Sequence, residues 1–252
     1  MNIIASIQAR MGSTRLPGKV LKPILGKPML QWHIERIKLS RLIDNVVVAT
    51  TTSPKDDEIV KFCELIGVKY YRGSENDVLQ RVTDLVQSFN ADIHVECFGD
   101  SPLTDPQIID EFIGYLLKNP EVDFVSNSIE TTYPPGAEVL AYRGEVLVDA
   151  NSKTDTNDPL REHVSLHIYK RPERYNVINL SAPEIYHFPD LYIEVDTEKD
   201  FIVMNSIITS LYKQYGIGFP LISIIDYLKR HPEIVKLNQD VPRRWKEFRK
   251  DE

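Results

Sequence analysis

The amino-acid sequence predicts an α/β protein: a doubly wound, mostly parallel sheet with a small strand–helix insertion. Three observations predict it. Strand-like and helix-like segments alternate four times before Lys118, the pattern of a parallel sheet with helices on both faces. The strand-like segments Ile3–Ile7 and Val46–Ala49 are apolar throughout, as strands buried on both faces must be. The polar, glycine-containing loops fall directly after these segments, where such sheets bind ligands.

Each element has its own signal. The first strand covers residues 2–7. A turn-rich stretch to Pro28 leads into a helix over 29–39, with Leu30, Ile34 and Ile37 on one face. Pro54 starts a second helix, with Asp56, Asp57 and Glu58 in its first turn where acids suit the helix dipole; Gly67 ends it. A short strand over 68–71 follows. Asn76 or Asp77 then caps a helix carrying Val78, Leu79, Val82, Leu85, Val86 and Phe89 inward. Residues 91–97 form the fourth strand, and Asp105-Pro106 opens a helix to Lys118. From Val122 the pattern loosens: strands are expected over 122–127, 138–141, 175–180 and 191–195. Between them lie a short helix over 144–151 and one helix opened by Asp158-Pro159, with Leu160, Val164, Ile168 and Tyr169. Thr197 caps a helix to about Gln214, and another covers 223–230. A single domain over 1–215 is expected, with the insertion at about 130–190. A C-terminal helix and the charged tail, 239–252, complete the chain.

The stretch that organises this plan is Ala9-Arg10-Met11-Gly12-Ser13-Thr14-Arg15-Leu16-Pro17-Gly18-Lys19. It holds two glycines, two small hydroxyl residues and three cations directly after the first strand. Successive N–H groups in such a loop make a concave anion site, to which Arg10, Arg15 and Lys19 add fixed charge. A polyphosphate is the simplest ligand. The loop departs from the Walker A pattern: five residues separate Gly12 from Gly18, and Val20 stands where a magnesium-binding hydroxyl belongs. By topology, Thr50, Arg72-Gly73 and Asp100 fall at strand ends beside it. Asp100 reads either as an Asx-turn residue or as a magnesium ligand, since polyphosphate brings excess negative charge. His163 and His167 are four residues apart, but an H-E-x-x-H sequence and a third ligand are both lacking, so zinc is set aside.

The stretch Gln8–Leu21 resembles the signature of the cytidylyltransferases of the CMP-sugar synthetase type, especially the branch of spore coat polysaccharide biosynthesis protein F. Further matches span most of the first 210 residues. The resemblance implies a nucleotide-diphospho-sugar transferase-like sheet and transfer of CMP from CTP to an acidic sugar or related anionic acceptor, with release of pyrophosphate. It implies that Ala9, Arg10, Gly12, Ser13, Arg15, Lys19, Thr50, Ser74, Asp77 and Arg81 lie around the nucleotide. It implies that Asp100 and Asp196 share Mg²⁺, and that Arg161 and His163, in an Arg-Glu-His run, face the acceptor. It also implies a homodimer contact through the middle segment.

The formal charge of −7 argues against a broad nucleic-acid surface, and no apolar run approaches a membrane span. Cys63 and Cys97 lack metal or disulfide spacing, and the N-terminus lacks a signal pattern, so a cytoplasmic protein with reduced thiols is expected. A nucleotide-sugar glycosyltransferase would carry an Asp-x-Asp motif, and Pro102 occupies the place of its second acid. A non-catalytic nucleotide-binding protein would have lost these acids or cations, and all are present.

Overall fold

A computed structural model describes residues 1–243 and 245–248. Among these, seven strands make the main sheet: β1 (Ile3–Gln8), β2 (Asn45–Thr51), β3 (Lys69–Gly73), β4 (Ile93–Phe98), β5 (Phe124–Ser126), β6 (Leu140–Arg143) and β7 (Val177–Asn179). Their order across the sheet is β3-β2-β1-β4-β6-β5-β7. The first four run parallel, with β1 registered Ile4 to Asn45 on one side and Ile4 to His94 on the other. β6 runs antiparallel to both β4 and β5, and β7 returns parallel to β5. The segment read as an insertion therefore supplies two strands of the main sheet.

Helices cover both faces: α1 (Met29–Ile37), α2 (Asp57–Leu65), α3 (Val78–Ser88), α4 (Pro106–Lys118), α5 (Gly144–Ser152), α6 (Leu166–Tyr169), α7 (Glu198–Tyr215), α8 (Leu221–Arg230), α9 (Pro232–Val235) and α10 (Trp245–Phe248). The division follows the period of two along each strand. In β1, Ile3, Ala5 and Ile7 point into one apolar cluster with Trp32, Phe112, Ile207 and Ile224. Ile4 points into the other, with Leu79, Val82, Tyr142 and Leu147. Each such fully buried side chain contributes about 1.5–3 kcal/mol. None of the described helices is long and apolar enough to cross a membrane.

Side-chain caps fix where the helices begin. Asp77 Oδ1 accepts from the Gln80 amide at 2.9 Å, and Asp105 Oδ1 from the Gln107 amide at 2.9 Å. The other Asp105 oxygen accepts from the Leu221 amide at 2.6 Å and seats the start of α8. Thr197 and Asp200 form a capping box on α7.

Three expectations need correction. Residues 158–169 do not form one helix: a 3₁₀ turn (Pro159–Glu162) is followed by extended backbone at His163, then by α6. The break lets Arg161 turn inward toward Asp77 while Val164 and Ile168 stay in the core. It also removes the helical stacking of His163 and His167; the His167 ring instead bonds the Leu160 carbonyl at 3.0 Å. Residues 191–195 are extended but join no ladder, because their amides meet loop carbonyls: Ile193 N donates to Pro135 O and Val195 N to Asp100 O, both at 2.8 Å. The tail packs on the chain through Val241 and Arg243; its residues 244 and 249–252 lie outside the described residues.

Candidate active site

The loop after β1 is closed by backbone contacts. Gly18 N donates to Met11 O at 3.1 Å, and Gly18 sits at φ 70°, a conformation that suits glycine. Asp56 holds the loop from below: its carboxylate accepts from the Met11 amide at 2.7 Å and from the Thr51 hydroxyl. The same side chain, read from sequence only as a helix-dipole acid, is 2% exposed.

Above the loop, cations and carboxylates interleave. Lys19 Nζ donates to the Val195 carbonyl at 2.6 Å and lies 3.3 Å from Asp196 Oδ1 and 3.7 Å from Asp100 Oδ2. Arg15 pairs with the second Asp196 oxygen at 2.6 Å. Gly99 brings β4 to this point: a Cβ there would stand 2.2 Å from the Gln8 carbonyl oxygen, so only glycine lets the turn carrying Asp100 lie against β1. Arg81 closes the far side. Burial, and then Arg10, lower its guanidinium to about 10, and its Nε has no partner among the described residues. Two neighbouring guanidiniums, one of them buried with an unused N–H, favour a bound anion, though Asp56, Asp77 and Glu75 also face Arg81.

Two cavities meet here. One, of about 240 Å³, is lined by Ala9, Arg10, Ser13, Arg15, Lys19, Arg81, Asp100 and Asp196, among others. The other, of about 460 Å³, shares Gln8, Arg10, Arg15, Phe98, Asp100, Glu162 and Asp196 with it and extends over Glu96, Glu138, His163, Ser165, Glu194 and Trp245. Burial, the larger effect, lowers the His163 ring against the pull of Glu162.

Several residues expected at the site stand apart from both cavities. Arg161 is 4% exposed; its Nε donates to Asp77 Oδ2 at 2.9 Å and its Nη2 to Asn151 Oδ1 at 2.7 Å. Asp77 and Arg161 thus bond one another and tie the start of α3 to the 3₁₀ turn. Ser74 is exposed, accepting the Asp77 amide at 3.0 Å and offering its carbonyl to Arg81. Thr50 is fully buried in β2, and Gly12 lies on the exposed rim of the loop.

Sequence reading missed Glu96, Glu194 and Trp245. Glu96 lies on β4 and is 1% exposed. Burial pushes its carboxyl up to about 7, partly offset by the Tyr142, Ser165 and Gln8 side chains that bond it. The unfolded chain releases this proton near ~4.3. Because the folded pKa is the higher one, the stability Glu96 contributes is complete at low pH and is lost as pH rises toward 7. Glu96→Gln removes the titration. The Tm of the variant minus that of wild type is expected to grow between pH 5 and pH 7.5; a constant difference would exclude a raised Glu96.

A doubly wound sheet with a cationic glycine loop at its switch point, facing two carboxylates and a second cavity, defines a nucleotidyltransferase. A cytidylyltransferase family model matches residues 4–214, and the chain belongs to that family. It is a CTP-dependent nucleotidyltransferase. An uncharacterized protein of Methanocaldococcus jannaschii is 36% identical over 257 residues, covering both chains fully. The spore coat polysaccharide biosynthesis protein SpsF of Bacillus subtilis is 31% identical over 240 residues, covering 92% of this chain and 96% of its own. The solved structure of a cytidylyltransferase from Leptospira borgpetersenii superposes with a TM-score of 0.87 at 30% identity, covering 96% of this chain and 100% of that one.

Proposed function

We propose that the protein transfers CMP from CTP to an acidic sugar, releasing pyrophosphate, for the assembly of a surface polysaccharide or glycoconjugate. The observation that carries this reading is the junction of the two cavities at Arg10, Arg15, Asp100 and Asp196. The smaller cavity has the cations a triphosphate needs, and the larger has room for a sugar. An acceptor hydroxyl entering from the larger cavity attacks the α-phosphorus; the new P–O bond forms as the bond to the pyrophosphate oxygen breaks, and the hydroxyl proton is released to water. Arg10, Lys19 and Arg81, with the loop amides, hold the phosphates in line and take up the charge of the leaving group. SpsF, named for polysaccharide biosynthesis, supports the pathway class. A 3-deoxy-manno-octulosonate cytidylyltransferase of Geobacter sulfurreducens, 41% identical over 124 residues and 48% of each chain, supports a sugar acid.

Asp100 and Asp196 fit Mg²⁺. Both carboxylates face Lys19 where the cavities join, and one or two carboxylates together with substrate phosphates are a usual way to hold this ion. When bound, the ion would supply charge for the phosphates and lower the pKa of the acceptor hydroxyl.

The test is pyrophosphate release from each of the four nucleoside triphosphates with Mg²⁺ and a panel of 3-deoxy-manno-octulosonate, N-acetylneuraminate and simple phosphate monoesters. Release with CTP and a sugar acid alone is expected. Silence across the panel, or release driven only by another nucleotide, would overturn the reading.

A further inference from the structure

The C-terminal segment folds back onto the mouth of the larger cavity. Asn238, Val241 and Arg243 are buried. The Arg243 guanidinium lies between two carboxylates, 2.8 Å from Asp200 Oδ1 and 3.4 Å from Glu194 Oε1. The Trp245 indole lines the cavity and donates to the same Glu194 oxygen at 3.0 Å. Lys246 donates to the Tyr192 hydroxyl at 2.7 Å. At the other end, the Pro242 carbonyl accepts from Arg15 at 3.0 Å, and Arg15 holds Asp196. The segment is therefore seated against the phosphate loop and against the stretch that carries Glu194.

We propose that Trp245, held in place by the buried Asn238, Val241 and Arg243, forms a wall of the acceptor site and selects the acceptor. The proposal rests on the transfer reading above. Trp245 and Glu194 line the larger cavity and are absent from the lining of the smaller one, so they meet the acceptor and not the triphosphate. Their chemistry fits a polyhydroxylated carbon chain. Its C–H faces pack on a flat indole, and its outward hydroxyls hydrogen-bond the carboxyl groups of Glu194 and Glu138. The wall also lies beyond residue 214, the last residue that the family model matches, whereas the phosphate loop, Asp100 and Asp196 lie inside that match.

The experiment compares full-length wild type, Trp245→Ala and Trp245→Phe by steady-state pyrophosphate release with CTP and the same acceptors. Trp245→Ala is expected to raise the acceptor KM at least tenfold, with the CTP KM and the CTP-induced rise in Tm unchanged. Trp245→Phe keeps an aromatic face and is expected to recover most of the lost acceptor affinity. An unchanged acceptor KM in Trp245→Ala, equal rises in both KM values, or a Phe variant no better than Ala would each overturn the proposal while leaving the transfer reading intact. Silence of the wild type with every acceptor would overturn both.

Discussion

Asp100→Asn is expected to leave the protein folded and to lower turnover by at least about 10³-fold, a loss of roughly 4 kcal/mol in transition-state stabilisation. The substitution keeps the shape of the side chain and removes its charge. Folding has little stake in that charge: the side chain is 36% exposed and its nearest cation, Lys19 Nζ, is 3.7 Å away and closer to Asp196. The proposed chemistry has a large one, because Asp100 stands at the carboxyl end of β4 where the two cavities join. The measurement is kcat for wild type and variant across a Mg²⁺ titration, with Tm as the folding control. Wild-type turnover with an unaltered Mg²⁺ dependence would remove Asp100 from the reaction.

Asp200→Ala is expected to cost about 3–5 kcal/mol of stability because it leaves a buried cation short of its partner. Asp200 is 1% exposed, and both of its oxygens are fully engaged. One accepts from the Asp196 and Thr197 amides and the Thr197 hydroxyl. The other accepts from Asn238 at 2.9 Å and Arg243 at 2.8 Å. Alanine would break the cap of α7 and weaken the anchor of the C-terminal segment together. In a chain of this size Tm is expected to fall by roughly 10 °C. Burial raises the Asp200 carboxyl, but the Thr197 hydroxyl and Arg243 outweigh it and hold the group below its ordinary value. Its stabilisation is therefore present above the unfolded pKa of ~3.9 and is lost as pH falls through the lowered value. Thermal melts of both proteins from pH 3 to pH 8 should show the gap narrowing only at the acid end. A variant melting within a degree or two of wild type would show that the cluster adds nothing.

Much of the fold was legible because its signals are local. Apolar runs gave β1 and β2, Asp105-Pro106 gave the first residue of α4, and Thr197 gave the cap of α7. The position of the glycine-containing loop after β1 was legible for the same reason, its glycines and cations being contiguous. Reading failed where a partner distant in sequence decides the local structure. Arg161 lies in a helix-like run, but Asp77, 84 positions away, draws it inward, and the run breaks at His163. Ile193 and Val195 alternate like a strand, yet their amides bond loop carbonyls at Pro135 and Asp100. Glu194 and Trp245 each look like ordinary surface residues in sequence. Only the return of the C-terminus brings them together.

The antiparallel strand in the middle of the sheet orders the birth of the molecule. β6 lies between β4 and β5, so β5 has no neighbour to join until synthesis has passed residue 143. Until then the free side of β4 is a raw edge, able to pair with any other extended chain. The half that grips the nucleotide can pair its strands with the first hundred residues in hand, because β1 to β4 are already adjacent. The other half of the sheet closes only when β7 has emerged, and the buried Asn238, Val241 and Arg243 pack last. A ribosome stalled between the two would display the loop after β1 beside an unfinished sheet, whose open edge invites aggregation.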